Sequence, residues 1–99
     1  MESDWGLVRL AECRVLIDEV DRKLLALLNE RTRIVEEIGL VKQNLTLPIY
    51  EPKREEQVFQ NITAHNEGPL PNDAVKRVFE RIIDEMRSVQ KQRMQQRNK

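Results

Sequence analysis

Ninety-nine residues make one domain near the lower end of comfortable single-core size. Four aromatic side chains and 39% apolar content leave little for a deep monomeric core. Seventeen basic and 17 acidic side chains cancel, so a general electrostatic attraction to nucleic acid is not expected.

Charged residues at 34%, with three glycines and four prolines, suit a helical protein rich in exposed faces. The absence of a run of about 18 apolar residues excludes a helical membrane span. Met1 to Gly6 is acidic and polar, unlike a signal peptide. A lone Cys13 on an apolar face argues against a disulfide scaffold, and the expected setting is reducing and cytoplasmic. Charge is uneven along the chain: residues 1–21 carry six acids against two bases, and five bases but no acid follow Glu85. Bases near a helix C-terminus interact favourably with its dipole, the structural reading of the gradient; the other reading is a nucleic-acid-binding tail.

The first predicted element is a helix over about 7–42, free of proline and with Gly39 as its only glycine. With Leu10 as position a, the a positions read Leu10, Ile17, Leu24, Arg31 and Ile38, and the d positions Cys13, Val20, Leu27, Ile34 and Val41. Five heptads of this pattern are a strong helix signal. Such a helix would span roughly 54 Å at 1.5 Å per residue, too long to bury its stripe against the short remainder of the chain. Homodimerisation is the simplest remedy.

QNLTLPIYE breaks the pattern, with Pro48 forcing Leu47 into an extended conformation. Pro52 suits the first turn of a second helix over about 52–65, with Val58, Phe59 and Ile62 inward. NEGPLP is the second break, where Gly68 is expected as a left-handed cap. Asn72 or Asp73 can cap a third helix over about 72–94. Its apolar face is Val75, Val78, Phe79, Ile82, Ile83, Met86 and Val89, and it is expected to fray in the terminal QQRNK. The expected fold class is therefore all-α: three helices, long, short and medium, intertwined as a homodimeric bundle.

Three cations interrupt the first stripe: Arg14, Arg31 and Lys42. A cation in a packing seam must meet an anion or bear several kcal/mol of desolvation. Arg31 and Lys42 are eleven residues apart, close to three whole turns and about 16 Å along the axis. They share a face and can straddle a small anion. Arg14 lies roughly 25 Å and about 100° from Arg31, so it reaches the same ligand only from a second copy. Glu55, with Arg54 beside it, leads the apolar face of the second helix, and Gln90 extends the Phe79–Ile83–Met86 row. No nucleophilic triad, metal-ligand spacing or phosphate-cradling glycine loop is present. His65 reads as a surface residue and Cys13 as a small core residue. Each polar residue also has a structural reading: Arg31 can set a coiled-coil register, and Arg14 can answer Asp21 across a seam. Periodicity alone supports a helical dimer with a cationic pocket.

The runs LAECRVLIDEVDRKLLALLNERTRIVEEIGLVK, LPIYEPKREEQV, NEGPL and RVFERIIDEMRSVQ resemble the all-helical class of chorismate mutases in order and spacing, from about Leu10 to Gln90. The resemblance implies an isomerase that converts chorismate to prephenate without cofactor or metal. It implies that Lys42 and Gln90 donate to the ether oxygen and that Glu55 accepts from the ring hydroxyl. By the same resemblance Arg31, with Arg14 from the other subunit and Arg54 in support, holds the two substrate carboxylates. Glu51 takes the place of a residue near the ring hydroxyl, and Met86 stands where some members have a carboxylate-binding serine. The expected partners are chorismate and a second copy of the chain, with no nucleic acid or membrane. With no extra domain, an unregulated enzyme is expected. The alternatives are an isochorismate pyruvate lyase, which shares the fold and much of the pocket, and a non-catalytic helical dimerisation module.

Overall fold

The computed structural model describes residues 2–97. Three helices follow in chain order: α1, Glu2–Asn44; α2, Pro52–His65; and α3, Asn72–Arg97. The long–short–medium order matches the sequence reading, with α1 longer at both ends and α3 longer at its C-terminal end than the periodicity marks. Part of the QQRNK tail, expected to fray, is helical through Arg97; Asn98 and Lys99 lie outside the described residues. No described helix is long and apolar enough to cross a membrane. Packing divides the chain into two units, Met1–Arg33 and Ile34–Lys99.

The first unit is one stretch of helix. Within it the Thr32 side chain donates to the Leu28 carbonyl at 2.8 Å. The heptad stripe is there but uncovered: Leu10, Ile17, Val20, Leu24 and Leu27 are all exposed, as are Val8, Val15, Leu16 and Leu25 on other sides. A helix apolar on most of its circumference is one built to be enclosed.

The second unit contains the end of α1 and the α2–α3 pair, which pack against each other. Val35, Val75, Ile83 and Met86 are its buried apolar side chains, and Gln90 is buried with them. Phe59 of α2 lies 5.8 Å beneath the Lys76 ammonium of α3. Val78, expected on the inner face of α3, is half exposed. α3 also runs in the same direction as the end of α1. Gln90 donates to the Val35 carbonyl (3.2 Å), Arg93 reaches Glu36 (3.3 Å), and Arg97 reaches Gln43 (2.6 Å). Gly39 packs beside Gln90: a Cβ there would stand in van der Waals contact, 3.4 Å from the Gln90 Cγ.

The helix ends differ from the sequence expectation in which residues cap them. α1 ends on a Schellman pattern, with Leu47 N–H on the Lys42 carbonyl (2.8 Å) and Thr46 N–H on that of Gln43 (3.2 Å). Thr46 takes the left-handed position at φ +57°, where glycine is the usual occupant. Gly68 is left-handed at φ +74° as expected, but it does not cap α2. Asn66 does, through its N–H on the Thr63 carbonyl, while its side-chain oxygen accepts from the Gly68 N–H at 3.0 Å. Asn72 and Asp73 are both already inside α3. The first carbonyl of that helix to accept is Pro71, from Val75 N–H, and the Asn72 side chain instead accepts from Asn66 at 2.7 Å.

Candidate active site

Lys42 is the most enclosed cation of the second unit, its side chain 12% exposed. It is held by the loop that follows its own helix. The ammonium donates to the Ile49 carbonyl at 3.0 Å and lies 2.5 Å from a Glu51 carboxylate oxygen. The Schellman turn makes this possible by reversing the chain at Thr46, so that residues 47–51 fold back over the side chain. An ammonium has three N–H donors, and these two contacts engage two of them.

Glu51 is the N-cap residue of α2, yet it makes no side-chain cap hydrogen bond. Its carboxylate serves Lys42 instead, while its backbone carbonyl accepts the first helical bond, from Glu55 N–H at 3.1 Å. Glu55 is thereby tied to the same corner, one turn into α2. Its carboxylate accepts from the guanidinium of Arg87 on α3, and both side chains are about one-quarter exposed. The guanidinium also lies 4.8 Å from the centroid of the Tyr50 ring and 3.7 Å from Asp84. The Glu55 hydrogen bond raises the Arg87 guanidinium above its already high ordinary value; partial burial opposes this, and the Glu55 and Asp84 charges reinforce it.

Gln90 sits one turn beyond Arg87 and one turn beyond the buried Met86. Its amide nitrogen, anchored by one bond to the Val35 carbonyl, keeps a second N–H. Val35, Gly39 and Lys42 follow one another at helical spacings of four and three, which puts them on one side of α1. Gln90 lies against Gly39, so it packs on the side of α1 that also carries Lys42. No buried polar side-chain atom among the described residues lacks a partner.

Of the residues singled out in the sequence, the second unit thus joins Lys42, Glu51 and Glu55 in one hydrogen-bonded chain, with Met86 and Gln90 on the buried face of α3. Arg54 is exposed and reaches only Gln57, at a long 3.4 Å. Arg14 and Arg31 belong to the first unit, the former exposed and the latter half-buried. His65 is exposed, with Nδ1 on the Asn61 carbonyl at 2.7 Å. Sequence reasoning passed over Arg87 and Tyr50. Arg87 lies beside the apolar Ile83–Met86 row and three residues before Gln90, but nothing in the sequence marks its meeting with Glu55.

The three-helix fold agrees with the relatives of the chain. The model of the chorismate mutase type II family matches residues 13–91. The chain belongs to the chorismate mutase type II family. It is 36% identical over 86 residues to a bifunctional chorismate mutase/prephenate dehydratase of Aquifex aeolicus, an alignment that takes in 83% of this chain and 24% of that protein; the chain spans about a quarter of the length of that relative. Among solved structures, chorismate mutase (form II) of Thermus thermophilus superposes with a TM-score of 0.82 at 38% identity, over 84% of this chain and 94% of that one. Chorismate mutase of Helicobacter pylori in complex with prephenate gives 0.81 at 28% identity, over 87% and 93%.

Proposed function

We propose that this chain is a chorismate mutase, an isomerase that converts chorismate to prephenate on the route to phenylalanine and tyrosine. The observation that carries the proposal is that Lys42 and Gln90, two donors each held by protein partners, belong to the same side of α1 in the second unit. The reaction is an intramolecular Claisen rearrangement: the ether C–O bond breaks as a C–C bond forms, and negative charge grows on the ether oxygen. It calls for no nucleophile. Donors fixed in advance by protein partners stabilise such charge without reorganising, and Lys42 and Gln90 are both fixed in this way. Glu55, anchored by Arg87, accepts from the ring hydroxyl. Glu51 stands beside it, and Met86 supplies an apolar wall.

The substrate is a dianion whose flexible enolpyruvyl arm must be folded over the ring, which is a task of orientation. Arg31 and Arg54, with Arg14 from a second copy, take the two carboxylates, for which planar guanidinium groups are suited. The homodimer this requires is supported by the uncovered apolar surface of the first unit, in which Arg14 is set. In this reading the two units are parts of one domain over residues 1–99, completed by its copy and working in the cytoplasm.

The test is turnover of chorismate, followed by the loss of its diene absorbance and by product identification. Prephenate is the expected product. Pyruvate released from isochorismate, with no prephenate formed from chorismate, would instead favour a lyase, and a folded dimer inert to both would favour a binding module. Subunit complementation tests the shared site. Arg14→Ala and Lys42→Ala dimers should each be nearly inactive, and mixing them should restore one intact site of two. If mixing restores nothing once subunit exchange is confirmed, the shared site is wrong.

A further inference from the structure

We propose that Arg87 is a positioning residue that holds Glu55 toward the substrate's ring hydroxyl and so makes the site selective for a hydroxylated ring. The proposal rests on the reading of the chain as a chorismate mutase. Glu55 projects from the first turns of α2, and a glutamate has three rotatable side-chain bonds by which its carboxylate can turn away from a ligand. Two contacts of Arg87 remove that freedom. Its guanidinium donates to Oε2 of Glu55, and its planar face lies 4.8 Å from the Tyr50 ring centroid, an attractive arrangement for a cation over an aromatic face. Tyr50 in turn precedes Glu51, whose carboxylate holds Lys42. Arg87 therefore braces the hydroxyl acceptor on one side and the loop that fixes the ammonium on the other.

The charge assignment follows from the same contacts. Arg87 engages one carboxylate oxygen of Glu55, which leaves Oε1 to accept from a hydroxyl. Arg87 is itself committed on both sides, to Glu55 and Asp84 as anions and to Tyr50 as a stacking partner. It differs in this from the exposed Arg54 and Arg14, whose side chains are open to a ligand. A guanidinium already paired with the Glu55 carboxylate, with Asp84 3.7 Å away, serves to orient a neighbour rather than to attract a dianion.

The experiment is a kinetic cycle on the full chain with chorismate and with an analogue lacking the ring hydroxyl. It uses Arg87→Met, Glu55→Gln, the double variant and Arg87→Lys. Arg87→Met should lower kcat/KM for chorismate by about tenfold or more, within the hundredfold that a misplacement of about 1 Å can cost. In the Glu55→Gln background the same change should cost almost nothing, and the hydroxyl-free analogue should not distinguish Arg87→Met from wild type. Arg87→Lys, which keeps a donor for Glu55, should recover part of the loss, and it serves in place of the methionine variant if that variant does not fold. An Arg87→Met enzyme as active as wild type overturns the proposal. So does a loss that persists undiminished with the analogue or beside Glu55→Gln, because Arg87 would then act on the substrate or on the fold directly. A wild-type protein inert toward chorismate overturns the underlying reading and this proposal with it, whereas an active wild type with an indifferent Arg87 overturns this proposal alone.

Discussion

The Lys42 ammonium and the Glu51 carboxylate meet at 2.5 Å, and the helix that Glu51 begins has no side-chain cap. A good cap contributes about 1 kcal/mol, and at this N-cap the side chain serves the ion pair instead. Replacement by serine reverses the choice. Glu51→Ser should leave stability within about 1 kcal/mol of wild type, because the new cap offsets an ion pair whose acidic member is half exposed. Catalysis should change in a particular way: kcat falls as Lys42 loses its brace, and KM falls too as the site gains net positive charge for a dianion. Steady-state kinetics at low salt, beside a urea titration, separates the two.

Removing the ammonium itself should act on the chemical step. Lys42→Ala is expected to lower kcat by on the order of 100-fold or more, the scale of losing a transition-state donor. A change confined to KM would mean that Lys42 only binds substrate.

Gly39 marks where α1 and α3 come closest around the amide. Alanine fits, since its Cβ would stand 3.4 Å from the Gln90 Cγ and 3.8 Å from its Cβ. Gly39→Ala should therefore keep activity and add up to about 1 kcal/mol of helix propensity. Gly39→Leu has no room without displacing Gln90, and it should cost activity more than stability. Assaying both variants by turnover and chemical denaturation checks the pair.

Thr46 holds a left-handed backbone with a β-branched side chain, a conformation costing roughly 1–2 kcal/mol outside glycine. Thr46→Gly relieves that strain but adds freedom to the unfolded chain. The net expectation is a gain of about 0.5–1 kcal/mol, read from the urea midpoint at unchanged slope.

The Arg87 guanidinium, raised by its bond to Glu55, makes the clasp insensitive to base. A cationic group with a raised folded-state pKa contributes stability fully below its unfolded pKa and loses it only as pH rises through the folded value. For arginine both lie above the range in which proteins are assayed. The destabilisation by Arg87→Met, about 1–2 kcal/mol for a partly buried pair, should therefore be flat from roughly pH 6 to 10. A cost that shrinks toward the alkaline end of that range would assign the effect to another group.

Helix identity was legible because it depends on periodicity and on proline, both local properties: Pro48 and Pro52 bracket the first break, and the heptads mark what precedes it. The caps were less legible. Asn72 looks like a capping residue by type, but whether its oxygen faces α3 or Asn66 depends on how the loop folds back. Lys42, Glu55 and Gln90 stood out because each is polar where an apolar residue fits the pattern. Arg87 did not, since its role arises only when α2 and α3 bring Glu55 to it across 32 positions of sequence. The chain's own pattern shows which residues are out of place, and only packing shows which of them meet.

The uncovered surface of residues 4–33 bears on how the protein behaves on dilution. A lone helix in water is marginal without tertiary support, and here the support proposed is another molecule. Folding of this segment would then be a second-order event whose midpoint moves with protein concentration. Dilution would act on it as a denaturant, melting the stretch over residues 7–27 and removing Arg14 from its neighbour's site while α2 and α3 remain paired.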